Sequence, residues 1–145
     1  NRAAMEKRLG LRPSGSSLPG VMRPIYRIKI ANIAKDGRNY LFYTYWQIVL
    51  REEDRIIGEI GFKGPPDKEG AIEVGYGLEE AYWGKGYMTE ALTALVGWAF
   101  AQPLVRFVVA STERANLPSR KVLERVGMQR YREDDRFLWW RLAKT

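Results

Sequence analysis

Glu73-Val74-Gly75-Tyr76-Gly77-Leu78-Glu79-Glu80-Ala81-Tyr82-Trp83-Gly84-Lys85-Gly86-Tyr87-Met88-Thr89-Glu90-Ala91 runs without a break from a strand through a glycine-bearing turn into a helix. A glycine inside a strand packs nothing, so Gly75 and Gly77 mark a bulge or a place where a ligand comes close to the backbone. Gly84 and Gly86 let the turn approach an anion, and the free N–H groups of the helix start attract phosphate by hydrogen bonding and by the helix dipole. Two glycines alone need do no more than permit a tight connection. The turn lacks the Gly-Lys-Ser/Thr ending of a nucleotide-binding loop and the third glycine of the dinucleotide fingerprint, so neither a kinase nor a dehydrogenase is supported.

Downstream, residues 89–102 are rich in helix formers whose apolar side chains cover most of the circumference, which predicts a helix buried on more than one side and ended by Pro103. Residues 104–110 read as an inner strand. Asn116 opens a helix over 116–126, with Pro118 near its start and Gly127 after its end. Strands at 129–133 and 136–142 close the chain. Upstream, strands are expected at 40–50, 56–62 and 71–78, joined by the charged turn 51–55 and the Gly/Pro turn 64–70. Helices are expected at 1–11 and 21–36, with the turn-rich segment 13–20 between them. This order predicts an α/β or α+β domain with a mixed, mostly antiparallel central sheet flanked by helices. Its first three strands form a meander, and its centre is the third strand and the strand from Leu104.

The 145 residues, 46% hydrophobic and 28% charged, suit one soluble globular domain. With no cysteine and no histidine, the commonest zinc ligands, any thiol nucleophile and every imidazole-based triad are excluded, and no metal is expected. Lys+Arg 24 against Asp+Glu 17 gives +7, a balance that favours polyanions, whether nucleic acid, acidic protein or a phosphorylated cofactor. No apolar run is long enough to span a bilayer and no leader opens the chain, so a cytoplasmic protein without membrane contact is expected. Asn1 in first position suggests a trimmed or incomplete version of something longer.

The strand-turn-helix stretch, together with Ile57-Gly58-Glu59-Ile60-Gly61, Asn116-Leu117-Pro118-Ser119 and Val122-Leu123-Glu124-Arg125-Val126-Gly127-Met128, resembles the GNAT N-acetyltransferase superfamily, especially the branch of ribosomal-protein N-terminal acetyltransferases. The resemblance covers about residues 56–128. It implies the acyl-CoA N-acyltransferase fold as a single domain over 1–145, acetyl-CoA as co-substrate and an amine acceptor, either a small molecule or a protein amino terminus. Relatives begin with a strand and helix that precede the region readable here, so the first strand is expected to be missing. A homodimer is left open.

By the same resemblance the coenzyme is held by Tyr76, Leu78, Trp83, Gly84, Lys85, Gly86, Tyr87, Met88, Asn116 and Ser119. The family's loop pattern, Gln or Arg, two residues, Gly, one residue, Gly or Ala, falls on Trp83, Gly86 and Met88, so two of its three positions depart. Main-chain N–H groups survive such changes. Transfer needs an uncharged amine, a stabilised oxyanion and a stabilised thiolate. Glu73 is the candidate base for an amine with a pKa near ~10, the Tyr76 N–H the oxyanion donor, and Ser119 the thiolate partner. Glu73 reads more readily as a solvated or salt-bridged strand carboxylate, whereas Ser119 reads equally as a first-turn residue bonding local backbone and Asn116 as a helix cap. The tyrosine acid of many relatives falls here on Leu123. Lys85, Arg114, Arg120 and Lys121 are candidate phosphate contacts, each reading more readily as an ordinary solvated base, and Tyr40, Phe42, Tyr43, Tyr45 and Trp46 belong to the core or to an acceptor pocket. The alternative functions are a non-catalytic acyl-CoA-binding or regulatory module and, with no recognised motif behind it, nucleic-acid binding.

Overall fold

A computed structural model describes residues 2–15 and 22–145. Helices α1 (Arg2–Arg8) and α2 (Met22–Lys35) lead through a 3-10 turn to the short α3 (Tyr40–Tyr43). Then follow β1 (Tyr45–Leu50), β2 (Arg55–Phe62), β3 (Ala71–Leu78), α4 (Tyr87–Phe100), β4 (Phe107–Glu113), α5 (Leu117–Val126), β5 (Gln129–Glu133) and β6 (Phe137–Ala143). The turn-rich segment expected at 13–20 and the first residue of the helix expected from 21 lie partly outside the described residues. Among the described residues no helix is long and apolar enough to cross a membrane.

The strands form one mixed sheet in the order β1-β2-β3-β4-β6-β5. Only β3 and β4 run parallel, and the other neighbours are antiparallel, so the expected meander and the expected centre are both present. Side chains alternate across a strand, and directly opposed residues share a face. Trp46, Ile60, Phe62, Val74 and Tyr76 therefore point to one side, while Tyr45, Gln47, Glu59, Gly61, Gly75 and Gly77 point to the other. The first side is the core, where Ile60, Phe62, Ile72, Val74, Val108, Ala110, Leu138 and Trp140 meet α4 and α5. Buried Met88, Leu92, Leu95, Val96 and Ala99 form one stripe of α4, with Trp98 beside it stacked on Phe62 at 6.0 Å. Helix α2 covers the other side of β1 and β2. There the Tyr26 hydroxyl donates to Glu59, and the Lys29 ammonium donates to the carbonyls of Tyr43 at 3.0 Å and Phe62 at 2.7 Å.

Two elements differ from the sequence reading. Tyr40–Tyr43 are helical rather than the start of the strand, because Phe42 packs into the aromatic cluster on Phe62 and Trp98 and pairing to β2 begins only at Tyr45 opposite Gly61. Tertiary contacts here override the β-propensity of an aromatic run. The strand expected from Leu104 begins at Phe107, since the Ala101 and Gln102 amides still close the end of α4 and Val105 bonds back to Gln102.

Candidate active site

Pairing of β3 with β4 covers only Ala71, Ile72 and Glu73, opposite Phe107, Val108 and Val109. Beyond that point β4 continues alongside β6, whereas β3 stays with β2, so the sheet splits between Val74–Leu78 and Ala110–Glu113. The orientation of the β3 amides follows from two bonds. Lys63 N–H donates to Glu73 O and Glu79 N–H donates to Ile57 O, so odd-numbered residues of β3 face β2. Antiparallel pairs alternate, and the amides of Tyr76 and Leu78 therefore point into the split. The Leu78 carbonyl, aimed the same way, accepts the Trp83 indole N–H at 2.8 Å, which leaves its N–H as the outward group.

The chain then turns through Trp83 to Gly86 into α4. Gly84 (φ +74) and Gly86 (φ +83) are left-handed, a conformation that glycine adopts without a Cβ penalty. No side chain caps α4, so the first N–H groups of this 14-residue helix have no capping partner, and the positive end of its dipole is open. At the far wall Asn116 accepts the Ser119 N–H at 3.2 Å and caps α5, with Pro118 in the first turn. The cap reading of Asn116 is thus realised. Ser119 does not bond local backbone through its hydroxyl: its Oγ lies 2.7 Å from the Tyr76 Oη. Burial raises the Tyr76 phenol above its ordinary value, and the Ser119 bond partly offsets that rise.

These parts enclose a cavity of about 660 Å³. Nine of the ten coenzyme candidates line it: Tyr76, Leu78, Trp83, Gly84, Gly86, Tyr87, Met88, Asn116 and Ser119. Lys85 does not, its ammonium lying 5.9 Å from the Tyr82 ring centre. Lys121 is a cationic wall residue, and Arg125 is another that the sequence reading missed. Its spacing is the available signal, since Lys121 and Arg125 are four apart and share one helix face. Arg114 instead pairs with Glu133 at 3.0 Å, and Arg120 donates to the Arg114 carbonyl at 3.0 Å, so neither lines the cavity. Leu123 is fully buried in the core, and a phenol placed there would face α4 and the sheet rather than the cavity. Three tyrosines do line the cavity, Tyr76 from β3 and Tyr82 and Tyr87 from the turn and the start of α4, and of these Tyr76 is the one whose hydroxyl meets Ser119.

Glu73 lies on the opposite side of the sheet from the Tyr76 ring. Its carboxylate takes the Lys63 ammonium at 2.5 Å and lies 3.4 Å from Ser111 Oγ. That side is open beside the split: a side chain at Gly77 would meet nothing within 4 Å, and one at Gly75 would meet the Tyr45 hydroxyl at 3.3 Å. The split thus has a cavity on one side, with polar amides and two cations, and an open face with a carboxylate on the other.

The chain belongs to the acetyltransferase (GNAT) domain family, whose pattern matches residues 22–129. It is 38% identical over 85 residues, 59% of its own length and 51% of the relative's, to the uncharacterized N-acetyltransferase YjdG of Bacillus subtilis (strain 168). It spans about half the length of the curated relatives it matches. In fold it is similar to a ribosomal-protein-alanine acetyltransferase from Vibrio fischeri, with a TM-score of 0.68, 22% identity and 81% of this chain and 68% of that one covered. A RimL ribosomal alpha-N-protein acetyltransferase, solved in complex with coenzyme A, is similar at a TM-score of 0.57 and 19% identity, over 63% of this chain and 57% of that one.

Proposed function

We propose that this domain transfers the acetyl group of acetyl-CoA to a primary amine by direct attack within a ternary complex, in the cytoplasm. The observation that supports it most is the split of β3 from β4, with the Tyr76 and Leu78 amides turned into it beside an uncapped helix start. An extended amide-containing arm fits such a split as an added strand, as peptides add to free sheet edges. Its pyrophosphate suits the N–H groups at Tyr87, Met88 and Thr89, with Lys121 and Arg125 as the cations nearby. The solved RimL-type enzyme with coenzyme A is a precedent for this donor on this fold.

In this reading the thioester carbonyl accepts the Tyr76 N–H, a main-chain donor that gains strength as the oxyanion forms. The amine approaches from the open Gly75 and Gly77 side and loses its proton toward Glu73. The nitrogen bonds to the acetyl carbon, the carbon–sulfur bond breaks, and the thiolate is stabilised by the Ser119 and Tyr76 hydroxyl pair. No metal takes part. The acceptor is a small-molecule amine or a protein amino terminus.

Incubation with acetyl-CoA and an amine panel, followed by thiol release and mass spectrometry, tests this. An acetylated product is expected. Tight acetyl-CoA binding without product would instead make the domain a non-catalytic acyl-CoA-binding module, and absence of binding would end the proposal.

A further inference from the structure

The open face beside the split already holds an amine. Lys63 directly follows β2, and its backbone pairs with Glu73, so the two side chains rise together on the side away from the core. The Lys63 ammonium sits on the Glu73 carboxylate at 2.5 Å, and its Cε lies 3.9 Å from where a side chain at Gly75 would begin. Gly75 itself puts no side chain in the way, the Tyr45 hydroxyl stands beside the path at 3.3 Å from the same point, and Tyr76 is one residue further, about 3.3 Å along the strand. Rotation about the lysine's own bonds therefore carries the amine to the level of the Tyr76 amide. The Lys63 side chain is 53% exposed, and an ion pair with Glu73 holds its ammonium. Lys29, on the helix over this side of β1 and β2, is by contrast buried and bound to two carbonyls.

We propose that Lys63 is an acceptor built into the chain, acetylated by the domain's own site. This rests on the acetyl-CoA reading above. The Lys63 ammonium gives up one proton toward Glu73, and its nitrogen attacks the acetyl carbon. The C–N bond forms, the C–S bond breaks with its electron pair going to sulfur, and the nitrogen loses a second proton. One of the two protons ends on the coenzyme thiol and the other in solvent. The product amide carries no charge, so the ion pair with Glu73 is lost and the carboxylate becomes free for an external amine. In the unmodified protein the same pair makes Lys63 a competitor for every cationic acceptor.

The test is incubation of the whole chain with acetyl-CoA and no other amine, with peptide mass spectrometry over time and isothermal titration of acetyl-CoA on the same sample. One acetyl group per chain is expected on Lys63, at a fractional rate independent of protein concentration. Lys63→Arg, which keeps the cation beside Glu73 and hence the local fold, loses the modification. Glu73→Gln slows it on the order of a hundredfold, as expected on removal of a general base. Acetyl-CoA binding with Lys63 unmodified, or with acetylation spread evenly over Lys7, Lys35, Lys68, Lys85 and Lys144, would overturn the inference and leave the donor reading standing. A rate that rises with protein concentration would show transfer between molecules and overturn it as well. Absence of acetyl-CoA binding would remove both.

Discussion

Replacing Gly86 by Ala adds one methyl group at the start of α4. A Cβ at this position meets nothing within 4 Å, so the cost is conformational rather than steric. Holding a non-glycine residue at φ +83 costs about 1–2 kcal/mol. That cost divides in one of two ways. If the turn keeps its shape, all of it appears as lost stability, a fall in Tm of about 3–8 °C for a domain of this size. If the free protein relaxes the turn, Tm changes less, and the strain reappears when the coenzyme forces the turn back, weakening affinity by a factor of about 5–30. The two losses together sum to about 1–2 kcal/mol. Gly84→Ala, at φ +74, behaves alike. Gly97→Ala supplies the control within the same helix: its Cβ also meets nothing, but its backbone is helical, so stability rises by about 0.5–1 kcal/mol and affinity is unchanged. Thermal unfolding and isothermal titration with acetyl-CoA read all three. If Gly86→Ala left both Tm and affinity untouched, the left-handed turn would not be part of the site.

Tyr76→Phe keeps the ring and removes the hydroxyl beside Ser119; stability falls by about 0.5–1.5 kcal/mol, and kcat falls while acetyl-CoA Kd holds, because the proposed binding mode uses the main-chain groups of β3. Steady-state kinetics with titration separates these effects. Leu123→Tyr, which restores the relatives' residue type, overpacks a fully buried position and costs about 1–3 kcal/mol without raising kcat, measurable by urea unfolding and product formation. Burial raises the phenols of Tyr45 and Tyr76, so the folded state keeps protons that the unfolded chain gives up above about pH 10. Their contribution is complete below about pH 10 and is lost as pH climbs through the raised folded values. Urea midpoints should therefore drop on the alkaline side, and the drop should be smaller in Tyr76→Phe.

Much of this site is written locally in the chain. Gly84 and Gly86 announce a turn that only glycine makes cheaply, and Asn116 with Pro118 announces a helix start, because both signals depend on neighbours in sequence. The core stripe from Met88 to Ala99 follows from helical periodicity in the same way. What the residues alone do not carry is set by distant partners. Tyr40–Tyr43 look like a strand until Phe62 and Trp98 draw Phe42 into their cluster. Arg114 and Arg120 are candidate phosphate contacts until Glu133 and the Arg114 carbonyl claim them, whereas Arg125 gains a place only once α5 lies along the cavity. The Tyr76 and Ser119 hydroxyl contact spans 43 positions, and no local pattern reports it. The direction of the Tyr76 amide is similarly a property of the register between β2 and β3.

That direction is also the most testable part of the account. Residue-resolved amide hydrogen exchange, run on the free protein and with saturating acetyl-CoA, reads the groups in question one by one. The Tyr76 and Leu78 amides should exchange readily in the free state and become protected on addition of acetyl-CoA, while Gly75 and Gly77, already bonded to β2, change little. Protection of Tyr76 and Leu78 before any ligand is added, or acetyl-CoA binding that leaves both amides exchanging freely, would contradict the claim that the split between β3 and β4 receives the donor.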